Sequence, residues 1–174
     1  MNERPLNVLF LCTGNSARSV IAEALLNAMA KGRFNAYSAG SNPSGVVNPL
    51  VVEYLHSKGL RADDARSKSW DEFAAPGAPL MDLIVTVCDE AAGEVCPVWP
   101  GHPARAHWSA PDPAPYGDDP DKARQVIRNV FNILQHRIAL LLSLPPEKLG
   151  RARLETEARE IAARTAPAVH RSGT

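Results

Sequence analysis

Neither sign of charge is in excess in this sequence, and no long hydrophobic run is present. Lysine and arginine together number 19, as do aspartate and glutamate, so composition favours neither nucleic acid nor an acidic membrane surface as a partner. The apolar stretch near the N-terminus, residues 6–11, is far too short for a secretory signal or a membrane span. We therefore expect a cytoplasmic protein that binds neither nucleic acid nor membrane.

Cysteine is scarce as well, with three residues in 174. Thiols stay reduced in the cytoplasm, and three cysteines there predict a chemical role rather than structural disulfides. The chain has the length of one domain with a substantial core, and no internal repeat or low-complexity segment is visible.

Strand and helix patterns alternate along the chain, which predicts an α/β fold with a parallel sheet covered on both faces. The predicted strands are residues 6–11, 36–39, 80–87 and 104–108. The predicted helices are 18–31, 49–59, a short one opened by a capping box of Ser69 and Glu72, and 119–142. The apolar face of the last comprises Ile127, Val130, Phe131, Leu134, Ile138 and Leu141.

The C-terminal part follows Pro145-Pro146, which ends the long helix. We divide the chain into a catalytic domain, residues 1–146, and an extension, residues 147–174. In the extension, 147–164 form a weaker amphipathic helix and 165–174 a disordered tail. The weak apolar stripe of Leu154, Ala158 and Ile161 favours packing on its own domain, with dimerisation as the alternative.

The most informative segment lies between the first strand and the first helix. It reads Cys12-Thr13-Gly14-Asn15-Ser16-Ala17-Arg18-Ser19. Successive backbone N–H groups and a helix N-terminus there would form a cradle for a tetrahedral oxyanion. That field, together with the Arg18 guanidinium and the Ser19 hydroxyl, favours the thiolate form of Cys12. The alternative is a buried cysteine at a strand end with an unrelated surface arginine.

Further reactive groups follow the ends of other predicted strands. Cys88 and Asp112 should meet Cys12 at one edge of the sheet, because ligand sites of parallel sheets lie at the carboxyl ends of the strands. Cys12 would attack the oxyanion, Arg18 would bind two of its oxygens, and Asp112 would protonate the leaving oxygen. Asp112 in Pro-Asp-Pro is alternatively an ordinary turn residue.

A second thiol extends this chemistry beyond a phosphatase. Cys88 can attack Cys12 after an adduct forms, and Cys96 can then take over as a Cys88–Cys96 disulfide. A helix over residues 88–96 would hold the two Cα atoms about 12 Å apart, so we expect residues 89–95 to bend and be mobile, with Cys96 more exposed than Cys88. The alternatives are two packed cysteines or a zinc site with His102 and His107, but the paired-ligand spacing of zinc sites is missing, so we predict no metal.

Four separated motifs resemble the arsenate reductases built on the low-molecular-weight tyrosine phosphatase fold. They are the Cys12–Ser19 loop, Tyr37-Ser38-Ala39-Gly40, Val85-Thr86-Val87-Cys88 with Cys96-Pro97, and Trp108 ahead of Asp112-Pro113-Ala114. The resemblance covers residues 6–142 and implies a three-layer, four-stranded parallel sheet flanked by helices.

The resemblance also implies roles for individual residues. Cys12 would attack arsenate, Arg18 would hold it, Asp112 would assist loss of water, Cys88 would release arsenite, and Cys96 would complete the relay. Asn15, Ser38 and Glu23 would form a polar network behind the loop, although Glu23 could equally be a solvent-facing helix residue. Lys68 falls near the position at which some relatives have an aspartate that helps to hold a potassium ion. A lysine at this position could itself supply the positive charge that potassium supplies there.

Several questions stay open at this stage. No tightly bound cofactor is expected, but an external thiol reductant is required, either thioredoxin or a glutathione–glutaredoxin system. A tyrosine phosphatase that uses the same loop is the alternative activity, although Ala114 and Pro115 stand where such phosphatases carry aromatic residues. A third possibility is a regulatory module that binds oxyanions and senses redox state, which the intact Cys12, Arg18 and Asp112 argue against.

Overall fold

The computed structural model describes residues 4–62, 64–88 and 99–165. Its strands are β1 (Leu6–Cys12), β2 (Phe34–Gly40), β3 (Leu83–Thr86) and β4 (Ala104–His107). Its α-helices are α1 (Arg18–Met29), α2 (Pro49–Ser57), α3 (Asp71–Ala74), α4 (Pro120–Leu142) and α5 (Arg151–Thr165). Short 3₁₀ helices occupy Ala114–Tyr116 and Pro146–Lys148.

The four strands form one parallel sheet in the order β2-β1-β3-β4. Cys12 at the end of β1 pairs with Gly40 at the end of β2, and Leu11 pairs with Thr86 of β3. The ends of the three strands therefore lie side by side. This confirms the predicted α/β fold and places the segments after Cys12, Gly40 and Thr86 at one edge of the sheet.

Helices cover both faces of the sheet because β1 is apolar on both sides. Val8 and Phe10 belong to the larger core, which also contains the buried faces of α1, α2, α4 and α5. Leu9 and Leu11 belong to a smaller core that includes Phe73 of α3. Alternation along β1 thus fixes the three-layer arrangement.

Helix α4 has the predicted apolar face. All six predicted side chains are buried: Ile127, Val130, Phe131, Leu134, Ile138 and Leu141. Helix α5 packs against β4 and α4, and Leu154, Ala158 and Ile161 are buried in the larger core. The stripe on α5 therefore packs on its own chain, and it is not exposed for dimerisation. None of the described helices combines the length and apolarity needed to cross a membrane.

The predicted capping box at Ser69 is wrong. The Ser69 hydroxyl accepts from the N–H of Asp71 at 3.1 Å, but the Glu72 carboxylate accepts from Nη1 and Nη2 of the Arg66 guanidinium at 2.9 and 2.6 Å. A bidentate charge-assisted pair is stronger than the single bond to a backbone N–H that a capping box would give. The Arg66 side chain therefore displaces the cap.

The predicted bounds of two strands also differ from the structure. β2 begins at Phe34 rather than residue 36, and β3 covers Leu83–Thr86 rather than 80–87. Before β3, the Asp82 carboxylate accepts from the N–H of Asn7 and from the guanidinium of Arg4, while Leu80 is exposed. Side-chain bonds of Asp82 thus reinforce the entrance to β3, where its backbone N–H also donates to the Asn7 carbonyl and its carbonyl accepts from the Ala104 N–H.

Candidate active site

The Cys12 thiol lies at the carboxyl end of β1, almost fully buried. Its sulfur is 2.9 Å from the hydroxyl oxygen of Ser19, in the first turn of α1. Ser19 also accepts a hydrogen bond from the side-chain amide of Asn15 at 2.8 Å. The Ser19 hydroxyl is therefore oriented to donate to the sulfur, which stabilises a thiolate.

The loop between Cys12 and Ser19 is held through its carbonyl oxygens. The Thr13 carbonyl accepts from Asn42 N–H, the Gly14 carbonyl from Ser44 N–H and the Ser67 hydroxyl, and the Ser16 carbonyl from Asn48 N–H, at 2.9–3.0 Å. Across the described ranges, no acceptor is paired with the N–H groups of Gly14, Asn15, Ser16 or Ala17. A loop whose carbonyls are bound and whose N–H groups are not is an anion nest.

Asn15 gives the loop its sharp turn. Its backbone has φ of 46°, in the left-handed region that asparagine tolerates better than most residues. Its buried side chain donates to Ser19 and accepts from the backbone N–H of Lys68 at 2.9 Å. Both ends of the amide are satisfied, so this one residue joins the turn to the nucleophile and to the chain at Lys68.

Gly40, at the end of β2, lies directly behind the loop. A Cβ at this position would be 2.3 Å from the Thr13 carbonyl oxygen, 2.8 Å from that of Cys12 and 3.0 Å from the Asn15 nitrogen. All three are backbone atoms and cannot move aside as a flexible side chain can. Only glycine allows β2 and the loop to approach this closely.

Arg18 and Asp112 face each other across the entrance to the loop. The guanidinium Nη2 lies 3.5 Å from Asp112 Oδ2, and Nη1 donates to the Ala110 carbonyl at 3.4 Å. The Arg18 side chain is 12% exposed and that of Asp112 is 41% exposed. The other Asp112 oxygen accepts from Ala114 N–H at 2.9 Å, so Asp112 also makes the turn that was its alternative interpretation.

Cys88 lies beside the start of the loop, fully buried. Its sulfur accepts a hydrogen bond from the backbone N–H of Thr13 at 3.3 Å and lies 3.6 Å from the Thr13 hydroxyl. Thr13 follows Cys12 directly, so the two thiols belong to the same edge of the sheet. Cys96 and the segment 89–95 lie outside the described residues.

Glu23, Ser38 and Lys68 form a polar cluster behind the loop. The Ser38 hydroxyl donates to Glu23 at 3.0 Å, and the Lys68 ammonium lies 3.4 Å from the Ser38 oxygen and 4.0 Å from the Glu23 carboxylate. Burial raises the pKa of Glu23, and the nearby Lys68 charge opposes that rise. Burial likewise lowers the pKa of Lys68, and Glu23 opposes this change. Glu23 is therefore a partly buried residue, with a side chain 21% exposed, paired with the buried Lys68.

The whole of this site falls inside one family match. Residues 7–155 match the model of the low molecular weight phosphotyrosine protein phosphatases. The chain belongs to this family.

Relatives in this phosphatase family include arsenate reductases. The chain is 35% identical to an arsenate reductase of Halalkalibacterium halodurans over 131 residues, which are 75% of this chain and 91% of the relative. It is 35% identical to the solved arsenate reductase of Archaeoglobus fulgidus, with a TM-score of 0.57 over 76% of this chain and 98% of the other. It is 28% identical to a thioredoxin-dependent arsenate reductase of Corynebacterium glutamicum, with a TM-score of 0.57 over 78% of this chain and 61% of the other.

Several residues that shape the site in this phosphatase-family chain are absent from the sequence-based predictions. The sequence indicates Gly40 only as part of the motif Tyr37-Ser38-Ala39-Gly40, and it indicates no role for Ser67 or for the backbone of 42–48. The one available signal was composition: residues 40–48 contain two glycines, two asparagines and a proline among small residues, as expected for a segment that packs closely on a loop. In the described part of the chain, no group of three or more His, Cys, Asp or Glu residues is placed to hold a metal ion.

Proposed function

We propose that this protein is an arsenate reductase that converts arsenate to arsenite by thiolate attack followed by a thiol–disulfide relay. The observation that carries the proposal is the Cys88 sulfur, which accepts the N–H of the residue directly after Cys12. Hydrolysis of a phosphate ester requires one thiol and water. A second buried thiol at the same edge is needed only if electrons are removed from sulfur.

The first step is attack of the Cys12 thiolate on arsenic. A sulfur–arsenic(V) bond forms and one oxygen leaves as water. The N–H groups of the loop and the planar guanidinium of Arg18 bind the remaining oxygens and offset their charge. Asp112 lies at the entrance, where its carboxyl group in the protonated form can deliver the proton to the leaving oxygen.

The second step transfers two electrons to arsenic. The Cys88 thiolate attacks the Cys12 sulfur, a Cys12–Cys88 disulfide forms, and the electron pair of the sulfur–arsenic bond stays on arsenic. Arsenic(V) becomes arsenic(III) and is released as arsenite. The balance is one arsenate and two thiols consumed, and one arsenite, one disulfide and one water produced.

The relay then passes the disulfide outward. Cys96 attacks Cys88, frees Cys12 and leaves a Cys88–Cys96 disulfide for an external dithiol to reduce. We propose thioredoxin as this reductant, in the cytoplasm, because the Corynebacterium glutamicum relative is thioredoxin-dependent. Glutathione with glutaredoxin is the alternative. The reaction needs no tightly bound cofactor or metal.

The cluster of Glu23, Ser38 and Lys68 supports the loop in this proposal. The backbone N–H of Lys68 donates to the side chain of Asn15 in the loop, and the Lys68 ammonium group contacts Glu23 and Ser38. A cation held in place by a covalent stem can offset the partly buried Glu23 charge without a bound metal ion. We therefore assign these residues a positioning role and no contact with arsenate.

A phosphatase is the second candidate, because arsenate and phosphate have nearly the same shape and charge and the loop cannot distinguish them. The family match favours it too. Residues 114–116 after the Asp112 turn form a short 3₁₀ helix, in which Tyr116 is the one aromatic side chain. Weak hydrolysis of aryl phosphates is expected beside arsenate reduction.

The deciding experiment measures arsenite formation from arsenate with thioredoxin, thioredoxin reductase and NADPH, and in parallel with glutathione and glutaredoxin. Cys88→Ser should abolish arsenite formation and retain aryl phosphate hydrolysis, whereas Cys12→Ser should lose both. Arsenite production by Cys88→Ser at the wild-type rate would refute the relay. If arsenite forms with glutathione and glutaredoxin but not with thioredoxin, the proposed reductant is wrong and the proposed internal relay still holds.

A further inference from the structure

Helix α4 contains a buried arginine on its apolar face. Arg137 is 2% exposed, and burial lowers its pKa. Its Nε donates to the Thr165 hydroxyl oxygen at 2.9 Å, and its Nη1 donates to the Ser109 carbonyl at 2.8 Å. Among the described residues, no carboxylate forms an ion pair with it.

The charge of Arg137 does not explain its presence in the core. Burying a guanidinium costs several kcal/mol of desolvation, and an apolar side chain of similar length would pack there without that cost. What arginine adds is two directed hydrogen bonds of fixed relative geometry. Their targets are the last residue of α5 and the segment that leads to Asp112.

Helix α5 itself orients the Thr165 hydroxyl that accepts from Arg137. The Thr165 hydroxyl donates its proton to the Ile161 carbonyl at 2.6 Å, so its oxygen lone pairs are directed to Arg137. Near the middle of α5, the Ala158 carbonyl accepts from the Trp108 indole N–H at 3.0 Å. Two points of α5 thus hold residues 108 and 109, one of them through Arg137.

The same segment is held from the active-site side. The Ala110 N–H donates to the Val87 carbonyl at 3.1 Å, and the Ala110 carbonyl accepts from Arg18. Residues 108–110 are therefore fixed between α5 and Arg137 behind and the catalytic arginine in front. Asp112 follows two residues later, with its side chain 3.5 Å from Arg18.

We propose that Arg137, Thr165 and the Ala158 carbonyl form a brace that positions Asp112 for proton transfer, so that α5 is part of the catalytic apparatus. The inference rests on the acid role given to Asp112 under the proposed function. The family match covers residues 7–155, so Arg137 lies inside it, whereas its partner Thr165 and the Ala158 carbonyl lie beyond it, in the extension.

The brace should affect one step and not the others. A general acid contributes about 10²- to 10⁴-fold in rate, and displacement by about 1 Å costs up to about 10²-fold. Loss of the Arg137 bonds leaves the turn bond from Ala114 N–H to Asp112 in place, so we expect a partial loss of about tenfold. The loss should appear only where the leaving oxygen needs a proton.

Aryl phosphates with good and poor leaving groups separate this effect from general damage. In Arg137→Met, hydrolysis of phenyl phosphate should fall about tenfold more than hydrolysis of p-nitrophenyl phosphate, whose less basic phenolate depends less on protonation to leave. Thr165→Val should show the same bias at smaller amplitude, and Asp112→Asn should show it at larger amplitude. Equal losses on both substrates in Arg137→Met, or no bias in Asp112→Asn, would overturn the proposal.

A matched control lies on the same helix. Arg159 donates to the Arg105 carbonyl at 3.1 Å, away from residues 108–112, so Arg159→Ala removes a contact of α5 without touching the brace. It should leave the ratio of the two hydrolysis rates unchanged. A ratio shifted as far in Arg159→Ala as in Arg137→Met would mean that any weakening of α5 acts the same way, and the brace would be refuted.

Hydrogen exchange tests the brace without any substrate. The amides of Ser109, Ala110, Asp112 and Ala114 should exchange faster in Arg137→Met than in wild type, while those of β1 and α1 are unchanged. Unchanged exchange in 109–114 would overturn the proposal whatever the activity. If the wild-type protein hydrolyses aryl phosphates but forms no arsenite, the proposed function is refuted. The brace is then still tested by the ratio of hydrolysis rates and by hydrogen exchange.

Discussion

Replacing Gly40 by alanine perturbs the oxyanion loop without touching any of its own residues. The added methyl would lie 2.3 Å from the Thr13 carbonyl oxygen, whereas ordinary contact begins near 3.4 Å. The loop must therefore retreat by about 1 Å, or β2 must move away from β1. Either movement displaces the backbone that sets Cys12 against Ser19 and Arg18.

The cost can be worked from the structure. Overpacking against backbone atoms costs about 1–3 kcal/mol of unfolding free energy. For a protein of this size each kcal/mol lowers Tm by about 2–4 °C, so Tm should fall by about 2–12 °C. A displacement of about 1 Å at the nucleophile lowers kcat by about 10²-fold.

The assay compares Gly40→Ala with Gly117→Ala by thermal unfolding and by turnover of arsenate. Gly117 has helical φ and ψ of −58° and −29°, and a Cβ there would lie 3.8 Å from its nearest neighbour, so this alanine should be neutral or stabilising by up to about 1 kcal/mol. Phosphate should raise the Tm of wild type and of Gly117→Ala, and it should raise that of Gly40→Ala much less. Identical Tm and turnover in the two variants would refute the argument that β2 shapes the loop.

Three other perturbations test the loop and the cluster behind it. Ser19→Ala removes a hydrogen bond to the Cys12 thiolate worth about 1.5–3 kcal/mol. In a Cys88→Ser background, iodoacetamide should therefore alkylate Cys12 about tenfold more slowly when Ser19 is replaced. An unchanged alkylation rate would contradict the role of Ser19. Arg18→Lys keeps the charge and loses the planar fork, so kcat for arsenate should fall about 10²- to 10³-fold, and a change in KM alone would contradict a role in the transition state. Burial raises the folded pKa of Glu23 above its ordinary value of 4.5, so wild type should lose stability relative to Glu23→Gln as pH rises through the range just above that value. Urea unfolding at a series of pH values measures this difference, and parallel stability curves would contradict it.

The repetitive features of the fold could be predicted from the sequence. Apolar periodicity identified the buried face of α4, and the alternation of strands and helices identified the parallel sheet. Pairing between distant side chains could not be predicted in this way, because it depends on which groups the fold brings together. Glu72 is paired with Arg66 rather than with the backbone at Ser69, and the partly buried Glu23 is paired with Lys68, 45 positions further along the chain.

The same distinction between local pattern and distant pairing applies to the candidate active site. The loop 12–19 and the reactive residues at the strand ends could be identified because each follows a recognisable strand. Arg137 was missed although a signal existed: it lies three residues after Leu134 and seven after Val130, which places it on the apolar face of α4. A charged residue at such a position indicates a buried hydrogen-bonding role, because an unpaired buried charge is too costly to be incidental.

The outer edge of β4 has a consequence for how this protein behaves at high concentration. The Glu155 carboxylate accepts from the Arg105 N–H at 3.0 Å, and Arg159 donates to the carbonyl of the same residue. Those two backbone groups would otherwise be available to pair with a strand of another molecule, which is how sheets join edge to edge into fibrous aggregates. By occupying them with its own side chains, the C-terminal helix protects the native protein against that route of self-association.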